Sequence, residues 1–195
     1  MKLASCRILA ILIVASILIA GCTTPAAPPA AEAPPAAPAQ SAVDRGKYLV
    51  TVQDCNGCHT PFTEKGEPDM SRMLSGHPQA AAITAAPKLA APWLVAISNT
   101  NTAWSGPWGV SFTSNLTPDR ATGLGGWTEQ TFITSIREGK KGGLGRTLLP
   151  PMPWRMYANL TDDDLKAVFA YLQTIPPIEN RVPNPIPPPG APATN

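Results

Sequence analysis

The sequence predicts a mostly α-helical domain carrying a long loop-rich insertion, with disordered proline-rich flanks on either side. Three observations carry that prediction. Helical periodicity bounded by capping residues marks segments near 42–54, 128–139 and 161–175. Residues 60–112 instead hold scattered prolines, small residues and the polar run Ser98-Asn99-Thr100-Asn101-Thr102, the composition of loops with at most short elements. Of 24 prolines, six lie in 23–40 and eight in 176–195, and such stretches cannot bury enough apolar surface to offset the entropy of ordering. The chain therefore divides into a leader at 1–22, a linker at 23–40, one domain at 41–180 and a tail at 181–195.

The leader opens with Lys2 and Arg7 and runs apolar from Leu9 to Ala20. A comfortable membrane span needs about 20 apolar residues, so a secretory signal peptide is the better reading and an uncleaved anchor the other. Its end, Leu18-Ile19-Ala20-Gly21-Cys22, resembles the lipobox of bacterial lipoproteins. That resemblance implies cleavage before Cys22, lipidation of Cys22, and export to the periplasmic face of a bacterial membrane. Residues 23–40 are Ala and Pro with one charge, Glu32. At about 3.1 Å per residue they form a semi-extended spacer reaching roughly 50 Å.

Ser41 with Asp44 reads as a helix start, and Tyr48, Leu49 and Val52 supply an apolar face. Gly46 is costly inside that helix unless a second helix crosses closely over it.

The helix runs into Cys55-Asn56-Gly57-Cys58-His59, a C-x-x-C-H run. Two thiols at this spacing can add across the two vinyl groups of one haem, and the histidine that follows can ligate its iron. The small Asn56-Gly57 spacer suits a tight turn. A simple disulfide, a thioredoxin-like redox pair and a zinc site shared with His77 are the competing readings. No buried strand precedes Cys55, against a thioredoxin-like site, and the adjacency of Cys58 and His59 makes tetrahedral chelation awkward. Covalent haem attachment is favoured. His77, beside Pro78, reads as a surface histidine rather than an iron ligand.

Within the loop-rich insertion, Val110 and Phe112 alternate with Gly109 and Ser111 and permit one short strand. Asn115-Leu116-Thr117-Pro118-Asp119 and Gly123, Gly125 and Gly126 are turn chemistry. Thr128 caps the next helix, whose apolar side is Phe132, Ile133 and Ile136 and whose end is Gly139. Arg137, Lys140, Lys141 and Arg146 then form the one cationic cluster, either solvated surface or a docking patch for an acidic partner. Thr161 caps the last helix, Asp162, Asp163 and Asp164 complement its dipole, and Leu165, Val168, Phe169 and Leu172 make one buried stripe.

A second axial ligand would close the iron to small molecules, and a thioether would raise its potential by favouring the ferrous state. Met152 sits in Leu149-Pro150-Pro151-Met152-Pro153-Trp154, where three prolines restrict the backbone before any ligand is bound. Met156 is its rival, while Met70 and Met73 have polar neighbours and look exposed.

The formal net charge is +2, from 15 basic and 13 acidic residues. Losing Lys2 and Arg7 with the leader leaves 13 against 13, so no basic excess argues for a nucleic-acid partner and none is expected. No acid–base or nucleophilic constellation suggests an enzyme; the three aspartates at 162–164 are explained by capping.

An N-terminal helix, C-x-x-C-H, and a methionine loop before a C-terminal helix resemble a class I cytochrome c. Asn115-Leu-Thr-Pro-Asp119, Thr122-Gly-Leu-Gly-Gly-Trp127, Leu149-Pro-Pro-Met-Pro153 and Tyr157 are similar to single modules in the cytochrome subunits of membrane-bound alcohol and aldehyde dehydrogenases. The likeness covers about 41–182 and is weakest in 62–105. It implies one covalently attached haem c, with Cys55 and Cys58 as thioether links and His59 and Met152 as axial ligands. It also implies that the first helix packs on the last, with Gly46 and Tyr48 meeting Phe169 and Tyr171. Those subunits usually carry three such motifs and this chain one, and Trp154 stands where Tyr is common. The expected function is one-electron transfer between redox proteins, with a dehydrogenase as donor and an oxidase or another cytochrome as acceptor. A haem enzyme or gas-binding protein with an open sixth position is the alternative class. A lipoprotein using Cys55 and Cys58 as a redox-sensing thiol pair is a third.

Overall fold

Ser41 Oγ accepts a hydrogen bond from Asp44 N at 3.1 Å and starts helix α1, Ala42–Val52. The computed structural model describes residues 40–191, so the predicted leader, the linker through 39 and the lipidation site Cys22 lie outside the described residues. The buried residues of α1 are Gly46, Leu49 and Val50, whereas Tyr48 and Val52 are 52% and 55% exposed. The predicted face is therefore corrected by a rotation of the helix. Its cause is Gly46: an ideal Cβ there would lie 1.9 Å from the Ala167 carbonyl oxygen and 2.8 Å from Tyr171 Cβ. Backbone meets backbone at this crossing, which fixes i, i+3 and i+4 from Gly46 as the inward positions. Tyr48 instead lies under Arg45, whose guanidinium carbon is 5.7 Å from its ring centroid.

Among the described residues the remaining α-helices are α2 (Cys55–His59), α3 (Glu129–Glu138), α4 (Trp154–Tyr157) and α5 (Asp162–Leu172). Thr128 and Thr161 cap α3 and α5 by accepting from Thr131 N and Asp164 N, and Gly139 ends α3 in the left-handed conformation. The predicted stripes are buried, Phe132, Ile133 and Ile136 on α3 and Leu165, Val168, Phe169 and Leu172 on α5. They join Leu49 and Val50 in one core, where the Phe132 and Phe169 rings stand 5.4 Å apart. The aspartates of α5 do more than cap it. Asp164 accepts from Arg45 Nε at 2.9 Å and Asp162 from Arg137 Nη2 at 2.5 Å, so the same turn ties α5 to α1 and to α3. Solvent screens pairs as exposed as these, so they orient the turn more than they stabilise it.

The insertion contains more order than its composition suggests. A three-stranded antiparallel sheet runs β1 (Ala96–Ile97), β2 (Ala103–Gly106), β3 (Gly109–Phe112), in that order. Ala103 pairs with Phe112 and Gly106 with Gly109, leaving Pro107-Trp108 as the hairpin turn. All four residues of the expected strand β3 are buried.

What covers them corrects the expectation of a disordered C-terminal flank over its described residues, 181–191. Residues 181–191 return to the sheet: Val110 N donates to Ile186 O at 2.8 Å and Ile186 N to Val110 O at 2.9 Å. Val182 and Ile186 pack on a second apolar cluster of Ala103, Val110 and Phe112. A proline-rich chain suits this place because an edge segment needs few N–H groups to pair. Gly109 permits the approach, at φ +92°, since a Cβ there would lie 2.0 Å from Ile186 O. Among the described residues, no helix is long and apolar enough to cross a membrane.

Candidate functional site

After α1 the chain turns through Asp54, whose backbone is left-handed at φ 53°, and the Asp54 carboxylate caps α2 by accepting from Gly57 N at 3.1 Å. A Cβ on Gly57 would sit 2.2 Å from Asp54 Oδ2. Gly57 is thus required by the cap, not by an unusual backbone angle of its own. Within this single helical turn Cys55 and Cys58 stand at i and i+3, on one side of the helix, and His59 follows at i+4 from Cys55. Asn101 Nδ2 donates to Gly57 O at 2.5 Å and pins the turn to the insertion.

His59 is buried, with Nδ1 2.8 Å from the Ser114 carbonyl oxygen. A carbonyl only accepts, so Nδ1 carries the proton and Nε2 keeps its lone pair. Burial holds the imidazole pKa below its ordinary value, against the opposing Ser114 bond, and so favours the neutral, metal-ligating form. Ser114 is a functional residue that sequence reasoning missed. Its contribution is a backbone oxygen, which no side-chain motif encodes.

Burial, with the charge of Asp54 adding to it, pushes the Cys55 thiol up to about 11; the same two causes raise Cys58. Redox-active and nucleophilic cysteines need the opposite shift, so this is a poor thiol-exchange pair. The two cysteines are free rather than joined in a disulfide. Among the described residues no three His, Cys, Asp or Glu gather as a metal cluster, which disfavours the zinc reading. His77 is not a surface histidine as expected: it is fully buried, with Nδ1 2.9 Å from Thr102 Oγ1 and Nε2 2.8 Å from Ala81 O. The sheet and its preceding loops enclose it.

Cys55, Cys58, His59 and Met152 all line one cavity of 580 Å³. Trp127, Phe132, Val168 and Leu172 supply apolar wall, and the size suits a small-molecule or cofactor site. Of the methionines weighed from sequence, Met152 lines this cavity, Met156 is 70% exposed, Met70 is exposed, and Met73 packs on the core outside the lining. In the cationic cluster Arg137 is diverted to Asp162 and to the Ala158 carbonyl, while Lys141 and Arg146 reach the cavity edge.

Tyr157, which had no role assigned from sequence, donates its hydroxyl to Gln53 O at 2.9 Å and so ties α4 to the end of α1 beside the cavity. Burial, reinforced by the neighbouring thiols and Asp54, pushes its pKa up to about 12, so it stays a donor. Tyr157→Phe is expected to cost about 1 kcal/mol of stability in urea unfolding, the net value of one such bond.

Two thiols on one helical turn, a neutral imidazole with Nε2 available and a thioether, all facing one largely apolar cavity, are the donor set of a protein that holds haem covalently. The sequence model of the family described as Cytochrome c matches residues 43–176, more than half of the chain, and the chain belongs to that family. As a member it carries covalently bound haem c.

The gluconate 2-dehydrogenase cytochrome c subunit of Pantoea cypripedii is 31% identical over 129 residues, 66% of this chain and 22% of that protein. The fructose dehydrogenase cytochrome subunit of Gluconobacter japonicus is 29% identical over 133 residues, 68% of this chain and 21% of that one. The cytochrome c subunit of the quinone alcohol dehydrogenase of Gluconobacter oxydans is 28% identical over 148 residues, 74% and 24% respectively. The chain thus spans less than a quarter of the length of these relatives.

Proposed function

We propose that this protein is a class I, monohaem one-electron carrier with His59 and Met152 as axial ligands and Cys55 and Cys58 as thioether links. In this reading it is lipid-anchored through Cys22 at the periplasmic face of a bacterial membrane. It exchanges electrons with a membrane-associated dehydrogenase as donor and an oxidase or another cytochrome as acceptor. The observation that carries the reading is the convergence of His59, with Nδ1 committed to Ser114, and Met152 on the same cavity as the two thiols. The bound haem iron supplies reversible one-electron chemistry.

The chain's own residues do the rest. Ser114 O fixes the His59 ring and its tautomer. Pro150, Pro151 and Pro153 restrict the loop that presents the thioether. Phe132, Val168 and Leu172 keep water from the cavity wall. The anchor rests on the lipobox-like end of the leader, and the dehydrogenase partner on the relatives being cytochrome subunits of dehydrogenases.

The test is the reduced alkaline-pyridine spectrum of the exported protein. The wild type is expected to give the band of a haem with two thioethers, and Cys55→Ser or Cys58→Ser each a red-shifted band with one. A colourless polypeptide after organic extraction, with two countable thiols, would overturn the proposal.

A further inference from the structure

We infer that Ser111, in β3, is a positioning residue that clamps the methionine loop, and that residues 111–114 are the shared support of both halves of the site. The inference rests on the His59/Met152 reading above. Ser111 is 7% exposed, and its hydroxyl donates to the Pro150 carbonyl at 2.5 Å. The Trp104 carbonyl, at 3.3 Å, is the weaker alternative acceptor, and Trp108 Nε1 donates to the same hydroxyl oxygen at 3.3 Å.

Pro150 lies two residues before Met152. Between 150 and 153 the only non-proline is Met152, so the loop has a single N–H with which to hold itself, spent on Leu149 O at 3.2 Å. A segment so short of donors must be fixed through its carbonyls by groups from elsewhere. Ser111 supplies that group. Three residues on, the Ser114 carbonyl accepts from His59 Nδ1, and residues 111–114 all line the cavity. One continuous stretch, itself held by the sheet through Thr113 N to Thr102 O at 2.9 Å, therefore sets both the histidine and the methionine loop.

The test uses the oxidised holoprotein and imidazole as an external ligand. Met152 must leave the iron before imidazole binds, so apparent affinity scales with the fraction of protein whose loop has lifted. Removing this part-buried hydrogen bond shifts that fraction roughly three- to tenfold. Ser111→Ala and Ser111→Val are therefore expected to bind imidazole roughly three- to tenfold more tightly than wild type. Ser111→Thr, which matches Val in shape and keeps the hydroxyl, should stay near wild type. Ser105→Ala, a buried serine of β2 with no hydrogen bond to the loop, is the control for general loosening of the sheet.

Equal behaviour of the Thr and Val variants, whether both shifted or both unshifted, overturns the assignment. Met152→Ala separates the two levels of inference. If it fails to tighten imidazole binding, methionine ligation is wrong and this inference falls with it. If it tightens binding while Ser111→Val does not, only the role of Ser111 is lost.

Discussion

Met152→Ala is expected to leave the haem covalently attached while lowering its reduction potential by on the order of 100–200 mV. In the proposed ligation the thioether is a soft ligand that favours ferrous iron, and its loss removes that preference without touching the links to Cys55 and Cys58. A ferrous preference of two to three decades corresponds to that range at about 59 mV per decade for one electron. Three readouts should move together: potential falls, the weak methionine–iron charge-transfer band of the oxidised protein disappears, and the reduced protein gains carbon monoxide binding. Met156→Ala should change none of them, because Met156 is exposed and does not line the cavity. An unchanged potential in Met152→Ala would place the sixth ligand elsewhere. Carbon monoxide binding by the wild type would show an open position, as in a gas-binding haem protein.

The part of the site that could be read from the sequence is the part carried by side chains close together in the chain. Cys55, Cys58 and His59 occupy a single helical turn, and Met152 is marked by the prolines around it. The supports of these residues were illegible because they are carbonyls or distant partners. His59 leans on Ser114 O, Gly57 O on Asn101 and Pro150 O on Ser111, each across tens of residues. The helices follow the same rule. The caps at Ser41, Thr128 and Thr161 are local and were legible, as were the stripes of α3 and α5.

The face of α1 was not legible, because Tyr48 and Val52 offer apolar surface beside that of Leu49 and Val50, while its orientation is dictated by contact with α5. The tail failed for a related reason. Composition registers the prolines of 183–189 as unable to form a core, yet a chain that only has to pair through Ile186 and bury Val182 needs no core of its own. Sheet pairing between Val110 and Ile186 is a long-range fact with no local trace beyond Gly109.

Gly46→Ala tests the contact on which the rest of the domain is assembled. In an isolated helix the change should help, since Ala exceeds Gly in helix propensity by about 1 kcal/mol. Here the added carbon would lie 1.9 Å from the Ala167 carbonyl oxygen and 2.6 Å from its carbon, both backbone atoms of α5 that no rotamer change can move. The helices must separate or slide, and either motion loosens Leu49 and Val50 against Leu165, Val168 and Phe169. Overpacking of this kind typically costs 1–3 kcal/mol, and a clash between two backbones belongs at or above the top of that range. With the propensity gain set against it, Gly46→Ala is expected to destabilise the holoprotein by about 2–3 kcal/mol in denaturant unfolding. Arg45→Ala, which removes the neighbouring partly exposed bond to Asp164, should cost about 1 kcal/mol or less. That contrast sets a close backbone crossing against an ion pair one residue away on the same helix, and a ratio near one would mean that the crossing is not what holds α1 to α5.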